Sequence, residues 1–177
     1  GFEIYCTAMD QLHLWSVLWE AGRAFTLAPF GMRAMMSLRL DRFFGSWMAE
    51  YSPDYTPAET GLDRFIDWKS DFIGKVAAQN DRPTRRLCAF EVDAKDADVV
   101  AYEPIFLGED VVGFCTSGGY SHYADKSIAQ GFLPLEHARA GQMVSIEILG
   151  DQRPAKVITT PLFDRDGARM RGALAAR

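Results

Sequence analysis

The stretch from residue 31 to residue 47, GMRAMMSLRLDRFFGSW, constrains the fold more than any other part of the chain. At about 100° per residue, a helix here is apolar on two sides: one arc runs from Met32 to Phe43, and Leu38 lies nearly opposite. Arg39 falls in the gap between the two arcs. A helix of this kind lies between layers, so we expect Arg39 to be buried and to need a partner. A neighbouring carboxylate and an anionic ligand both remain open as that partner.

The composition is that of a globular chain with a core and excludes several classes of protein. Of 177 residues, 48% are hydrophobic and 24% are charged. A net charge of −5 argues against a nucleic-acid partner, and no apolar run is long enough to span a membrane. The cysteines are three in number, far apart and without CxxC spacing, which predicts buried thiols in a reducing, cytoplasmic compartment. The histidines do not cluster with them, so no metal site is predicted.

The N-terminal third alternates between strand-like and helical patterns. Residues 2–6 have the alternation of a strand, Thr7 and Asp10 resemble a capping box, and the helix that follows is expected to run to about Gly22. A short extended piece at residues 24–27 leads into the central helix. This order predicts half of a split, ferredoxin-like α/β sandwich. Because the chain opens on Gly1 in the middle of a strand pattern, we expect it to be a piece of a longer protein.

The following segment contains the best domain boundary. Residues 62–68 favour one more strand, and a short helix is expected from Asp71 to Gln79. Residues 80–83, Asn-Asp-Arg-Pro, are polar and contain a proline, as linkers often do. We therefore divide the chain into a partial α/β subdomain, residues 1–80, and a second domain, residues 81–177.

Short strand-forming runs replace the helical period in the second domain. Turn residues at Gly108–Asp110 and Gly150–Asp151 separate some of them. The fold class is therefore α+β, with a small six-stranded antiparallel β-barrel after the α/β part. The six expected strands are Leu87–Val92, Val99–Phe106, Val111–Thr116, Ser127–Leu133, Val144–Leu149 and Pro154–Thr160.

One glycine-containing segment inside this domain is a candidate ligand-side loop. Ser117, Gly118, Gly119 and Tyr120 follow the expected third strand, where small residues permit close approach of the backbone to a ligand. A tight barrel turn explains the same residues. His122 beside tyrosines is either a ligand donor or a structural histidine.

The order of several short motifs resembles one known family. They are Gly-Phe-Glu-Ile at 1–4, Ser-Leu-Arg-Leu at 37–40, Thr-Pro at 56–57, Gly-Leu at 61–62, Asp-Phe-Ile-Gly-Lys at 71–75, Val-Gly at 112–113, Thr-Ser-Gly at 116–118 and Gly-Phe-Leu-Pro at 131–134. Together they resemble the glycine cleavage T-protein (aminomethyltransferase) family, and most of all the folate-domain region of dimethylglycine and sarcosine dehydrogenases and oxidases.

The resemblance implies tetrahydrofolate-dependent transfer of a one-carbon unit from an amine-derived donor. FAD is implied only if the parent protein carries an upstream flavin domain. This chain would hold the end of the second of three subdomains and the whole barrel. It would lack the N-terminal half, with the aspartate that the family uses to assist transfer, so we expect the piece alone to be inactive and to bind folate weakly.

The resemblance also implies roles for particular residues. Glu3 matches the glutamate that grips the pterin ring, although a surface carboxylate paired with Arg33 or Arg39 is an alternative. Trp47 matches an aromatic position beside the folate. Arg86 matches a basic position that can meet the carboxylates of the glutamyl tail. With Arg33 and Arg39, these residues form the predicted folate site.

The sequence departs from the family pattern at several positions. The T-protein arginine four residues before Arg39 is Met35 here, and the oxidase-type pattern instead places its arginine at Arg33. Family members often carry Asp at Met36, and the family's C-terminal tyrosine has no counterpart near residues 167–169.

Two rival functions on the same fold are an S-demethylase or other methyltransferase and a folate-binding scaffold for iron–sulfur cluster assembly. The scaffold proteins carry a cysteine in the segment that is Lys69–Gly74 here, where this chain has none.

Overall fold

The computed structural model describes residues 2–172. The helices are α1 (Gln11–Gly22), α2 (Met32–Asp41), α3 (Pro57–Thr60) and α4 (Lys75–Gln79), with short 3-10 turns at Arg23–Phe25 and Asp63–Phe65. The strands are β1 (Arg85–Val92), β2 (Pro104–Leu107), β3 (Asp110–Ser121), β4 (Lys126–Pro134), β5 (Met143–Ile148) and β6 (Asp151–Ile158).

The six strands form a closed antiparallel barrel in the order β1-β4-β3-β2-β5-β6. Closure leaves no unpaired edge, and the inward side chains fill the interior. Phe90, Ile105, Leu133 and Ile146 are fully buried there. The predicted α+β class and six-stranded barrel are confirmed.

Two strand boundaries differ from the prediction. β3 does not end at Thr116 but continues to Ser121, pairing with β4 along residues 114–121 through one register shift. β2 begins only at Pro104, because the preceding residues turn: Val100 N donates to Glu103 Oε2 over 2.9 Å. Residues 117–120 are therefore strand, and the prediction of a loop there is wrong.

Glycines in the barrel strands serve close packing between backbones. A Cβ atom on Gly118 would lie 2.2 Å from the carbonyl oxygen of Val99, whereas a Cβ on the next residue, Gly119, would meet only Leu40 Cδ1 at 3.4 Å. Gly118, which suggested close approach of a ligand, thus makes room for the backbone of Val99 instead.

The strands expected at residues 2–6, 24–27 and 62–68 are not formed. Residues 2–6 have no regular structure, and the other two segments contain the 3-10 turns. A strand needs a hydrogen-bonding neighbour, and within residues 2–172 none pairs with these segments. Their alternating side chains are mostly exposed instead.

Helix α1 lies where its pattern predicts, but it packs little against the described residues. Its apolar face of Leu12, Trp15 and Leu18 is exposed at 76%, 56% and 43%. Thr7 Oγ1 donates to Asp10 Oδ2 over 2.6 Å, whereas no side chain caps the helix N-terminus, so the capping box is wrong. Trp15 and nine further residues of this region line an apolar groove of about 660 Å³.

Helix α2 is shorter than predicted and ends at Asp41. The chain then turns through Phe43, whose φ of 57° is left-handed, and Phe44 N donates back to Arg39 O over 3.0 Å. One side of the helix packs on β3, where Leu40 is only 2% exposed. The opposite side, with Leu38, faces outward, so among the described residues the helix is covered on one side only.

We predict that Gly118→Ala lowers the free energy of unfolding by about 1–3 kcal/mol, because the new methyl group collides with the Val99 carbonyl and the strand must shift. Gly119→Ala is the matched control, since its methyl group meets ordinary contact distances. Urea unfolding of both variants measures the difference. Equal stability of the two variants would contradict this account of Gly118.

Candidate functional site

A buried ion pair connects α2 to the barrel. Arg39 Nη1 lies 3.4 Å from Glu50 Oε2, and the side chains are 10% and 0% exposed. The same Nη1 donates to Gln130 Oε1 over 3.0 Å and to Phe44 O over 2.9 Å. Of the two partners left open for Arg39, the neighbouring carboxylate is therefore present.

Glu50 is surrounded by donors that keep it ionised. Thr116 Oγ1 donates to Oε1 over 2.6 Å, Ser117 Oγ donates to the same oxygen, and Ser46 N donates to Oε2 over 2.7 Å. Burial by itself raises the pKa of this carboxyl, but these hydrogen bonds and Arg39 together hold the pKa below its ordinary value. The folded chain therefore stabilises the carboxylate.

The arginine keeps unused hydrogen-bonding capacity. Nε and Nη2 of Arg39 are buried and have no hydrogen-bond partner among the described residues. A guanidinium has five N–H donors, and unsatisfied buried donors are costly. Arg39 is thus anchored at one nitrogen and free at the others.

Glu3 and Trp47, the two residues expected to share a pterin slot, are both exposed. Glu3 lies in the irregular N-terminal segment and accepts a hydrogen bond from Tyr5 over 2.6 Å. Trp47 is 80% exposed and forms an isolated bridge with Tyr51. Neither Glu3 nor Trp47 lines any of the five best-defined cavities among residues 2–172.

The two remaining predicted arginines line different cavities. Arg33 borders a cavity of about 380 Å³ together with Asp41 and His122. Arg86 borders a cleft of about 460 Å³ on the other side of α2's C-terminus, at the start of β1. The described residues therefore do not bring the five predicted folate ligands into one cavity.

The candidate loop at residues 117–120 is part of the barrel wall. Ser117 binds Glu50, and the carbonyl of Tyr120 accepts from Ser37 Oγ. Tyr120 OH donates to Asp125 at the next turn. These residues connect α2 and Glu50 to the barrel, and they lie in strand β3 rather than in the predicted loop.

The cleft beside Arg86 contains functional candidates that the sequence did not indicate. Arg42, Arg64 and Arg165 also line it, and its lining includes no carboxylate. These positions are far apart in the chain, so no local motif could reveal them. Cys88 forms part of the wall, but burial raises the pKa of its thiol to about 12, which makes it a poor nucleophile.

Residues 2–172 contain neither a cluster of metal-ligand side chains nor a membrane-spanning helix. No group of three or more His, Cys, Asp or Glu side chains there is arranged to hold a metal ion. No helix in that range has the length and apolar character needed to cross a bilayer.

Both parts of the chain match models of known protein families. The GCVT N-terminal domain model matches residues 1–70, and the glycine cleavage T-protein C-terminal barrel domain model matches residues 85–164. The chain belongs to the glycine cleavage T-protein family. The gap between the two matches includes the polar segment at residues 80–83.

Individual relatives include two kinds of enzyme. Mitochondrial dimethylglycine dehydrogenase of Mus musculus is 35% identical over 176 residues, which are 97% of this chain and 20% of that protein. The aminomethyltransferase of Symbiobacterium thermophilum is 34% identical over 168 residues, 92% of this chain and 44% of that protein. The chain thus spans less than half of each of these relatives.

A solved structure shares the fold. Aminomethyltransferase T of the glycine cleavage system from Bartonella henselae superposes with a TM-score of 0.77 at 22% identity, covering 89% of this chain and 44% of that one. The T-protein fold is therefore present in this chain.

We predict that Glu50→Gln lowers the free energy of unfolding at pH 7 by about 3–5 kcal/mol, because it leaves the buried Arg39 without its anion. The pKa of Glu50 is lower when folded, so its contribution is complete above the unfolded pKa and is lost as pH falls through the folded pKa. The difference between wild type and variant should therefore narrow in acid.

Urea unfolding between pH 7 and pH 3 measures this difference, with Glu109→Gln in the exposed β2–β3 turn as the control. If the difference in free energy of unfolding between wild type and Glu50→Gln stays constant across the pH range, the charge of Glu50 is not what stabilises the contact between α2 and the barrel.

Proposed function

We propose that this chain contributes part of a tetrahydrofolate site for aminomethyl transfer, within a longer aminomethyltransferase or a folate-coupled dimethylglycine or sarcosine dehydrogenase. The observation that carries the proposal is the match of both parts of the chain to T-protein family models, together with relatives of both enzyme types. The proposed location is cytoplasmic.

The two exposed residues have the chemistry that a pterin needs. The carboxylate of Glu3 can accept two parallel N–H bonds from an aminopyrimidine edge, and the ring of Trp47 can stack on a flat heterocycle. Their exposure leaves both available to a ligand. The role of the chain is positioning: folate is held so that its nucleophilic nitrogen attacks an activated methylene.

The arginines are proposed to bind the rest of the folate. Arg33 and Arg86 border open cavities, and Arg39 has two buried nitrogens without a partner in the described residues. Arg86 is assigned to the carboxylates of the glutamyl tail. A guanidinium suits this task because it forms two parallel hydrogen bonds with a carboxylate.

We propose that a further, N-terminal part of the protein supplies the other wall of the site. Two features support this: the relatives are more than twice as long, and the apolar face of α1 is uncovered in the described residues. That part would carry the catalytic aspartate and, in a dehydrogenase, the FAD domain. An S-demethylase on the same fold would differ in the donor that this part recognises.

Titration calorimetry of the chain with tetrahydrofolate tests the proposal. We expect a dissociation constant well above micromolar, because one wall is missing, and a further loss of about tenfold for Glu3→Gln, since a charged acceptor becomes neutral. Glu20→Gln is the control, because Glu20 is also exposed and pairs with Arg23 on α1.

Equal affinity of Glu3→Gln and wild type would remove Glu3 from the site. No heat of binding at millimolar folate would count against the site as a whole, and micromolar affinity would show that no further wall is required.

A further inference from the structure

Asp41, the last residue of α2, has a buried carboxylate without a partner. The residue is only 4% exposed, and its Oδ1 accepts no hydrogen bond among residues 2–172. No Lys, Arg or His of those residues forms an ion pair with it. Burial of an unpaired charge is costly, so a carboxylate in this position is expected to meet a cation or an N–H donor that the described residues do not supply.

The neighbouring arginine does not fill this role. Arg42 Nη1 donates to the carbonyl oxygens of Phe163, over 3.1 Å, and of Asp164. Its positive charge interacts with the carboxylate of Asp164. Arg42 lines the cleft beside Arg86, whereas Asp41 borders a different cavity. The two adjacent charges therefore lie on different surfaces.

The backbone at Asp41 is fixed, and its position on the helix adds negative charge. Asp41 O accepts hydrogen bonds from Leu162 N over 3.0 Å and from Phe163 N over 3.2 Å. Asp41 also ends α2, and the C-terminus of a helix carries a partial negative charge of its own. The carboxylate and the helix end therefore both favour a cation at this point.

Asp41 borders a cavity of about 380 Å³ between α2 and the turn that joins β3 to β4. A volume of this size is within the range of small-molecule pockets. The cavity is called the Asp41 pocket from here on, and its lining includes Arg33, Ser37, Leu38, Asp41, His122 and Tyr123.

The walls of the Asp41 pocket offer acceptors and aromatic surface. Ser37 Oγ donates its hydrogen to the Tyr120 carbonyl, so its oxygen is left to accept from a ligand. A neutral imidazole such as that of His122 accepts at one nitrogen. The ring of Tyr123 is held edge-on against Phe163, with centroids 4.9 Å apart, and an aromatic face attracts cations. This combination suits a ligand that donates hydrogen bonds and carries positive charge.

Arg33 is the lining residue with the opposite charge, but it lies away from the carboxylate. It precedes Asp41 by eight residues, which is about 12 Å along the helix axis. Charges at that separation are largely screened at physiological ionic strength. Arg33, proposed above to bind folate, therefore neither neutralises Asp41 nor excludes a cation beside it.

The lining favours an organic cation over a metal ion. Ca²⁺ and Mg²⁺ take six or more oxygen ligands. The side chains of this lining supply one carboxylate, one Ser hydroxyl and one Tyr hydroxyl. Leu38 supplies an apolar surface that suits an alkyl chain rather than a hydrated ion.

We propose that the Asp41 pocket binds a small organic ammonium ion, a protonated primary or secondary amine with a short alkyl chain. The ammonium N–H groups donate to Asp41 and Ser37, and the alkyl chain lies against Leu38 and Tyr123. Binding of this cation does not rest on the proposed folate function.

NMR titration of the isotope-labelled chain with n-butylammonium chloride at pH 7 tests the proposal. We expect saturable shifts of the amide signals of Ser37, Asp41 and Tyr123 at millimolar concentration. Tetramethylammonium, which has no N–H group, and butanol, which has no charge, should each bind about tenfold more weakly or less, because charge-assisted hydrogen bonds are lost. Equal shifts with KCl or with tetramethylammonium would overturn the proposal.

Asp41→Asn should weaken binding of n-butylammonium by about tenfold or more. Without ligand, its unfolding temperature should equal that of wild type or exceed it by about 2–4 °C, because a buried unpaired charge is removed. A clearly lower unfolding temperature would mean that the carboxylate has a structural partner, and the proposal would fail.

Asp125→Asn is the matched control, since Asp125 lies in the same turn as Tyr123 but outside the pocket. Asp125 is exposed, accepts a hydrogen bond from Tyr120 OH, and has a φ of 57°, which Asn tolerates. Binding should be unchanged in this variant. A loss equal to that of Asp41→Asn would show a general effect of negative charge and would contradict the assignment to Asp41.

A second variant tests the same point without altering the carboxylate. Leu38→Lys places a tethered ammonium three residues before Asp41, on the neighbouring helix surface, where it should occupy the pocket and prevent binding. Leu38→Gln has no charge and should weaken binding much less. Leu38 is 55% exposed, so both variants should fold. If the two variants bind n-butylammonium equally well, the cation does not lie beside Asp41 and the proposal is wrong.

Discussion

The buried pair of Arg39 and Glu50 is the interaction on which the arrangement of this chain depends. It joins α2 and the following loop to two barrel strands, through Thr116 on β3 and Gln130 on β4. A buried ion pair contributes little net stability, because desolvation offsets attraction, but its geometry admits few alternatives. Its role here is to hold α2 and the following loop in one position relative to the barrel.

The same network shapes the cleft beside Arg86. Arg39 Nη1 holds the Phe44 carbonyl, and Phe44 N returns to the Arg39 carbonyl, so the turn after α2 is fixed from both sides. That turn places Arg42 at the wall of the cleft, where the carbonyls of the C-terminal segment hold it. Loss of the ion pair would therefore disturb the wall of the cleft, because Phe44 and Gln130, which Arg39 holds, both line it.

The sequence predicted what depends on neighbouring residues. The six barrel strands follow from local alternation and turns, and the burial of Arg39 followed from its place between two apolar arcs. The prediction failed at the N-terminal segments, because a strand requires partners that residues 2–172 do not supply. It also failed near Gly118, where the strand does not end and the glycine leaves room for the backbone of Val99. The sequence could not predict the cleft beside Arg86, because residues more than 120 positions apart, such as Arg42 and Arg165, come together in its lining.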